Sequence, residues 1–137
     1  MRRSTLMAAA ALLVAAPLTA QAAPAEGPTT LDGVFTAEQA EAGRIVYQQK
    51  CVGCHTLDWY TGDIIHAWEC GSLFGLFEVI STTMPQDNPS SLQRRQYVEV
   101  LAYILELNGL PAGETPLSSG RSRLNAIRFE FPKENQR

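Results

Sequence analysis

Cysteine is scarce in this chain, with three in 137 residues. An odd number excludes complete pairing into disulfides. Methionine is equally rare, and once Met1 and Met7 are set aside only Met84 remains. Basic charge is also short. Without Arg2 and Arg3 the chain carries nine Lys and Arg against 14 acidic residues, about −5, which argues against a nucleic-acid partner. No internal repeat and no second Cys-x-x-Cys segment occurs. The long apolar run, Leu6 to Leu18, is too short and Ala-rich to span a bilayer, which takes about 20 apolar residues.

That run follows Arg2 and Arg3 and leads to Ala20-Gln21-Ala22, the order of a secretory signal peptide cleaved after Ala22 or Ala23. Residues 1–23 are therefore expected to direct export to the periplasm. The arginine pair lacks twin-arginine flanks, so export unfolded is expected. No cysteine follows the cleavage point to take a lipid, so release without a membrane span is expected as well. Roughly 115 residues then remain, enough for one small domain.

Cys51-Val52-Gly53-Cys54-His55 carries the chemistry. Cys-x-x-Cys-His is the attachment pattern of c-type haem. Two thiols one helical turn apart can add across the two vinyl groups of one haem, and the adjacent imidazole then lies beneath the iron. A thioredoxin-like dithiol would need a βαβ context, and a zinc site would need four ligands. With two thiols engaged by one covalently bound haem c, no pair is left for an intramolecular disulfide.

The rest of the chain reads as helices. Residues 24–34, rich in Pro, Gly and Thr, suggest a mobile leader, with order beginning near Phe35. Thr36 and Gln39 form a capping-box pattern ahead of a helix from Ala37 to Lys50 that delivers the haem motif at its end. Gly43 inside it implies a close helix crossing, with Tyr47 packing one turn on. Ser72 is the expected N-cap of a helix carrying Leu73, Phe74, Leu76, Phe77 and Ile80 and ending at Met84-Pro85. Ser90 with Gln93 suggests a second capping box and a helix from about Ser91 to Leu107, stopped by Asn108-Gly109 and Pro111. Its Ala102 and Tyr103 are free to meet Gly43 and Tyr47. In the tail, residues 113–137, Ile127, Phe129 and Phe131 alternate with charged residues, and basic residues outnumber acidic ones from Ser118 onward. It wraps back on the domain or is partly disordered, or else it docks a partner subunit.

The sixth iron position separates an electron carrier from a reactive centre, because a thioether there closes the site and raises the potential. Met84, in a turn and followed by Pro85, is the expected ligand opposite His55. His66 is the rival; otherwise it is a surface or propionate-contacting group. Cys70 reads as an inert, partly buried thiol, and Trp59 and Trp68 as core aromatics.

Taken in order, Gly43-x-x-x-Tyr47, Cys51-Val52-Gly53-Cys54-His55, Met84-Pro85 and Val100-Leu101-Ala102-Tyr103-Ile104-Leu105 resemble the class I cytochrome c family over Phe35 to Ala112. Trp68, Leu73, Leu76-Phe77-Glu78, Thr83-Met84-Pro85 and Asn108-Gly109 are similar to those of the small monohaem cytochromes associated with quinoprotein dehydrogenases. The resemblance implies an all-α fold packed around one haem, covalent links at Cys51 and Cys54, and His55/Met84 coordination. It implies a non-enzymatic electron carrier. The donor would be a periplasmic dehydrogenase and the acceptor a terminal oxidase or membrane cytochrome. The alternatives are a cytochrome subunit of a dehydrogenase complex, docked through the basic tail, and a haem enzyme or sensor if Met84 does not ligate. Two departures stand out. The family's proline, whose carbonyl accepts the proximal imidazole N–H, has no counterpart between His55 and Met84, and Cys70 stands where relatives tend to have glycine.

Overall fold

The computed structural model describes residues 27–132. The export signal read at residues 1–23 lies outside them, as do the last five residues. The described residues form five α-helices, α1 (Ala37–Lys50), α2 (Asp63–His66), α3 (Leu73–Thr83), α4 (Arg94–Leu107) and α5 (Arg121–Ala126). Two 3₁₀ turns, Thr30–Asp32 and Leu57–Tyr60, complete the regular structure. Extended pairing among the described residues amounts to isolated bridges, Thr29 with Arg128 and Ser72 with Arg128. The chain is all-α.

The expected α1 is present from end to end. Thr36 is its N-cap and accepts from the Gln39 N–H at 3.2 Å. The Gln39 side chain does not close the box. Its amide instead donates to the Leu117 carbonyl at 2.8 Å and accepts from the Leu117 N–H at 2.7 Å, tying the segment before α5 to α1. α4 begins three residues later than its pattern suggested. Ser90 sits at φ 61°, outside helical geometry, and its hydroxyl donates to the Ser81 carbonyl at 3.0 Å. The cap is Gln93, with Gln96 completing the box.

α1 and α4 cross at Gly43. A Cβ on Gly43 would lie 1.8 Å from the Glu99 carbonyl oxygen and 2.9 Å from the Val100 nitrogen. Only hydrogen in place of a side chain permits that approach. The partner is the Glu99–Val100 backbone rather than Ala102. Tyr103 does meet Tyr47, with ring centroids 5.5 Å apart.

The core lies between α3, α4 and the tail. Leu73, Phe77, Leu101, Ile104, Leu105, Leu124 and Phe129 are all essentially inaccessible to solvent. The tail wraps back on the domain. Phe129 donates its N–H to the Gly71 carbonyl at 2.8 Å and accepts from the Cys70 N–H at 2.9 Å; the Leu73 N–H donates to the Ile127 carbonyl at 2.9 Å. Within residues 24–34, read as a mobile leader, Thr30 is fully buried. Its hydroxyl donates to the Glu130 carbonyl at 2.5 Å and accepts from the Glu130 N–H at 2.8 Å. A polar composition suggested mobility, yet Thr30 and the Pro28 carbonyl supply the partners that the Arg128–Glu130 backbone requires when buried.

Two of the tail's arginines are engaged within the chain. Arg121 lies over the Phe74 ring at 4.6 Å, and Arg128 bonds Glu130 at 2.6 Å. Arg94, at the start of α4, lies over Phe77 and donates twice to the Ser119 carbonyl. These contacts resemble a clasp more than an outreached arm.

Gly43→Ala should drive a methyl into the Glu99 peptide and cost about 3 kcal/mol or more, the upper range for overpacking. Urea unfolding followed by far-UV circular dichroism measures it, and a midpoint equal to wild type would show that the two helices do not touch there.

Candidate functional site

The motif begins where α1 ends. Cys51 is the C-cap of α1 and its N–H donates to the Tyr47 carbonyl at 2.8 Å. The Cys54 and His55 N–H groups both donate to the Cys51 carbonyl, at 3.1 and 2.9 Å. One tight turn thus presents both thiols and the imidazole together. Cys54 is exposed and Cys51 half-buried. Burial pushes the Cys51 thiol above its ordinary range, and the neighbouring Cys54 adds to the shift.

Two cavities meet at this turn. One, of about 270 Å³, is lined by Cys51, Cys54, His55, Tyr60, Ile80, Met84 and Val100 among others. The second, of about 230 Å³, is walled by His55, Trp59, Tyr60, Ile64, Trp68, Leu76 and Met84 among others. His55, Tyr60, Ile80 and Met84 belong to both. The structure therefore brings Cys51, Cys54, His55 and Met84 to one cleft, although they come from α1's end and α3's end, about 30 residues apart in sequence. Larger hollows elsewhere, between residues 28–34 and α5 and beside His66, gather no comparable chemistry.

The backbone of each expected iron ligand is held by a tyrosine hydroxyl. Tyr47 donates to the His55 carbonyl at 2.6 Å, and Tyr97 donates to the Met84 carbonyl at 2.7 Å. Sequence spacing marked Tyr47 only as a packing residue and gave no sign of the Tyr97 contact, because spacing along a helix shows which face a ring occupies but not where its hydroxyl ends. Tyr60, also unanticipated, stands in both cavities, and burial pushes its phenol far above the ordinary range, with Cys51 and Tyr47 adding to the rise. Its backbone carbonyl accepts from the Asn108 side chain at 2.7 Å, tying the post-motif turn to the end of α4.

His55 Nδ1 is buried and has no hydrogen-bond partner. A ligating histidine normally donates that N–H to a carbonyl or carboxylate, which fixes the ring and raises its basicity. The missing proline between His55 and Met84 is matched by this orphaned atom, with only the Trp59 and Tyr60 rings beside the imidazole, at centroid distances of 5.2 and 5.7 Å.

These features fit a haem. Two thiols and an imidazole lie along one edge of a largely apolar cleft, a thioether lies on the walls shared by both cavities, and exposed Trp59, Ile64 and Val79 line its rim. Among the described residues no group of three or more His, Cys, Asp and Glu side chains is placed to hold a metal ion by itself, so the dithiol and His55 are not completed into a four-ligand zinc site.

His66 is not at the cleft. Its ring lies 4.0 Å from that of Phe131, in a separate hollow with Glu69 and Asn108. Cys70 is exposed rather than partly buried, and its φ of 67° is the left-handed geometry that glycine adopts most readily, a physical reason for glycine to be usual there. Trp59 is exposed, at 48%, instead of lying in the core, while Trp68 packs partly buried against it.

Tyr47→Phe removes one hydroxyl and leaves the His55 carbonyl without that donor, so it should cost about 1 kcal/mol. A denaturant titration checks this, and an unchanged midpoint would mean that the bond contributes nothing to holding the motif. No protein-family model, curated protein or solved structure matches this chain.

Proposed function

We propose that the chain is a monohaem c-type cytochrome of the class I kind that carries electrons, without transforming a substrate, between an exported dehydrogenase and a respiratory acceptor. The observation that carries this reading is the convergence of Cys51, Cys54, His55 and Met84 on one cleft. Nothing in the Cys-x-x-Cys-His pattern alone requires a lone methionine 29 residues later in sequence to share cavity walls with the histidine.

In this reading Cys51 and Cys54 would hold the haem through thioether bonds, and His55 and Met84 would ligate its iron. When bound, the haem supplies a one-electron Fe(III)/Fe(II) couple. The chain's own residues set the conditions for that couple. Leu76, Ile80 and Val100 keep the cleft apolar, which disfavours the more highly charged state. The thioether of Met84 favours the reduced state in the same direction. The His55 Nδ1 without an acceptor adds to it, because a less basic imidazole stabilises ferric iron less. Leu73, Phe77, Leu101 and Ile104 belong to the core behind the cleft and act by holding α3 and α4 together.

Fixed ligands suit a carrier, because little must rearrange when the electron arrives. Both backbones are pinned by tyrosines, and Met84 is also the C-cap of α3, its N–H donating to the Ile80 carbonyl at 3.1 Å. The residue set and the export signal read at residues 1–23 together support a periplasmic site of action. A partner subunit held by the tail is less well supported, since Arg121 and Arg128 already have partners within the chain.

The test is the visible spectrum of protein matured with haem-attachment machinery, compared with Met84→Ala. Wild type should be low-spin, show the weak red band of methionine bound to ferric iron, and resist carbon monoxide when reduced. The mutant should lose the band and bind carbon monoxide. A wild type that is high-spin, or that the mutation leaves unchanged, would remove Met84 from iron and favour a haem enzyme or sensor.

A further inference from the structure

We propose that Tyr97 is a positioning residue for Met84, its phenol acting as a clasp that closes the Pro85–Leu92 loop and holds the methionine on the iron. The proposal rests on the His55/Met84 reading given above. The geometry that carries it is local. The Tyr97 hydroxyl donates to the Met84 carbonyl at 2.7 Å and accepts from the Leu92 N–H at 3.2 Å. One buried oxygen thus joins the two ends of the loop. Tyr97 is itself 3% exposed and stands in the first turn of α4, its ring enclosed in the hydrophobic core.

The remaining loop contacts converge on the same point. The Ser90 N–H also donates to the Met84 carbonyl, at 3.3 Å, and the Asn88 N–H donates to the Pro85 carbonyl at 3.0 Å. Ser90 reaches its φ of 61° with its hydroxyl bonded to the Ser81 carbonyl on α3. The Met84 N–H is held by α3 and its carbonyl by α4, so both of its peptide groups are fixed and only the side-chain torsions remain free.

The consequence is chemical as well as structural. A thioether is a neutral, weak ligand, and it stays bound only if the loop that carries it has little conformational entropy to gain by leaving. The Tyr97 hydroxyl removes that gain in advance. Without it the loop samples more conformations away from the iron, and an external ligand competes with Met84 more easily.

The experiment titrates oxidised holoprotein with imidazole and follows loss of the methionine-to-iron band. Tyr97→Phe should bind imidazole about 2- to 12-fold more tightly than wild type, the equilibrium shift expected for one hydrogen bond. Its ferric–ferrous potential should fall as the methionine-bound population falls. Leu110→Val, a mild loosening of the core at a residue that lines neither cavity of the cleft, serves as the comparison and should leave imidazole affinity unchanged.

Equal imidazole affinity in Tyr97→Phe and wild type, or an equal gain in Leu110→Val, would overturn the proposal while leaving His55/Met84 ligation intact. If wild type has no methionine band to lose, the underlying reading fails instead. Should Tyr97→Phe not fold, amide hydrogen exchange of reduced wild type decides. Protection at Leu92 supports the clasp, and exchange at the rate of an open loop overturns it.

Discussion

Because Gly43 carries no side chain, α1 can lie directly on the Glu99–Val100 backbone of α4, and that contact determines where the rest of the site can be. From Gly43 to Cys51 is eight residues, about 12 Å of helix, so the crossing aims the end of α1 and its thiols at a fixed point beside α4. The same crossing sets Tyr97 half a turn before Glu99, where its hydroxyl meets Met84. Both candidate iron ligands are therefore referred to one helix pair. A shift at the crossing would move both.

The second constraint is the way the chain's ends close the bundle. Pro28 and Thr30 pair with Arg128 and Glu130, while Ile127 and Phe129 pair with the turn from Cys70 to Leu73 that starts α3. Since α3 ends at Met84, its N-terminal anchor is part of what positions the methionine. Phe129, fully buried and edge-on to Phe131 at 4.9 Å, gives that anchor its apolar weight, with burial of such a ring contributing about 1.5–3 kcal/mol. The tail is a structural element of the domain, with Arg121 lying over the face of Phe74 and Arg128 paired with Glu130.

Much of this was legible in the residues. Thr36 and the run to Lys50 marked α1 to the residue, and Gly43 marked a crossing, because a glycine inside a helix is costly unless something lies against it. Ser72 and Met84 bracketed α3 correctly. The signals that misled were those with two physical uses. Ser90 suits an N-cap, but here it takes a positive φ and bonds Ser81; Gln39 suits a capping box, but here it bonds Leu117. Composition suggested mobility near Thr30, where the decisive fact is a long-range partner, Glu130, a hundred residues away. Long-range partners were also what hid the hydroxyl contacts of Tyr47 and Tyr97. Periodicity reports burial along one helix and is silent about a carbonyl delivered by another segment.

The most direct measurement of the central claim, that His55 and Met84 hold one covalently attached haem between them, is the proton spectrum of the reduced, diamagnetic holoprotein. A methionine methyl lying over a porphyrin face is carried far upfield by the ring current. The account predicts one such three-proton signal, assigned to Met84 by its loss in Met84→Ala. A Met84 methyl at its ordinary position in the reduced holoprotein would contradict it.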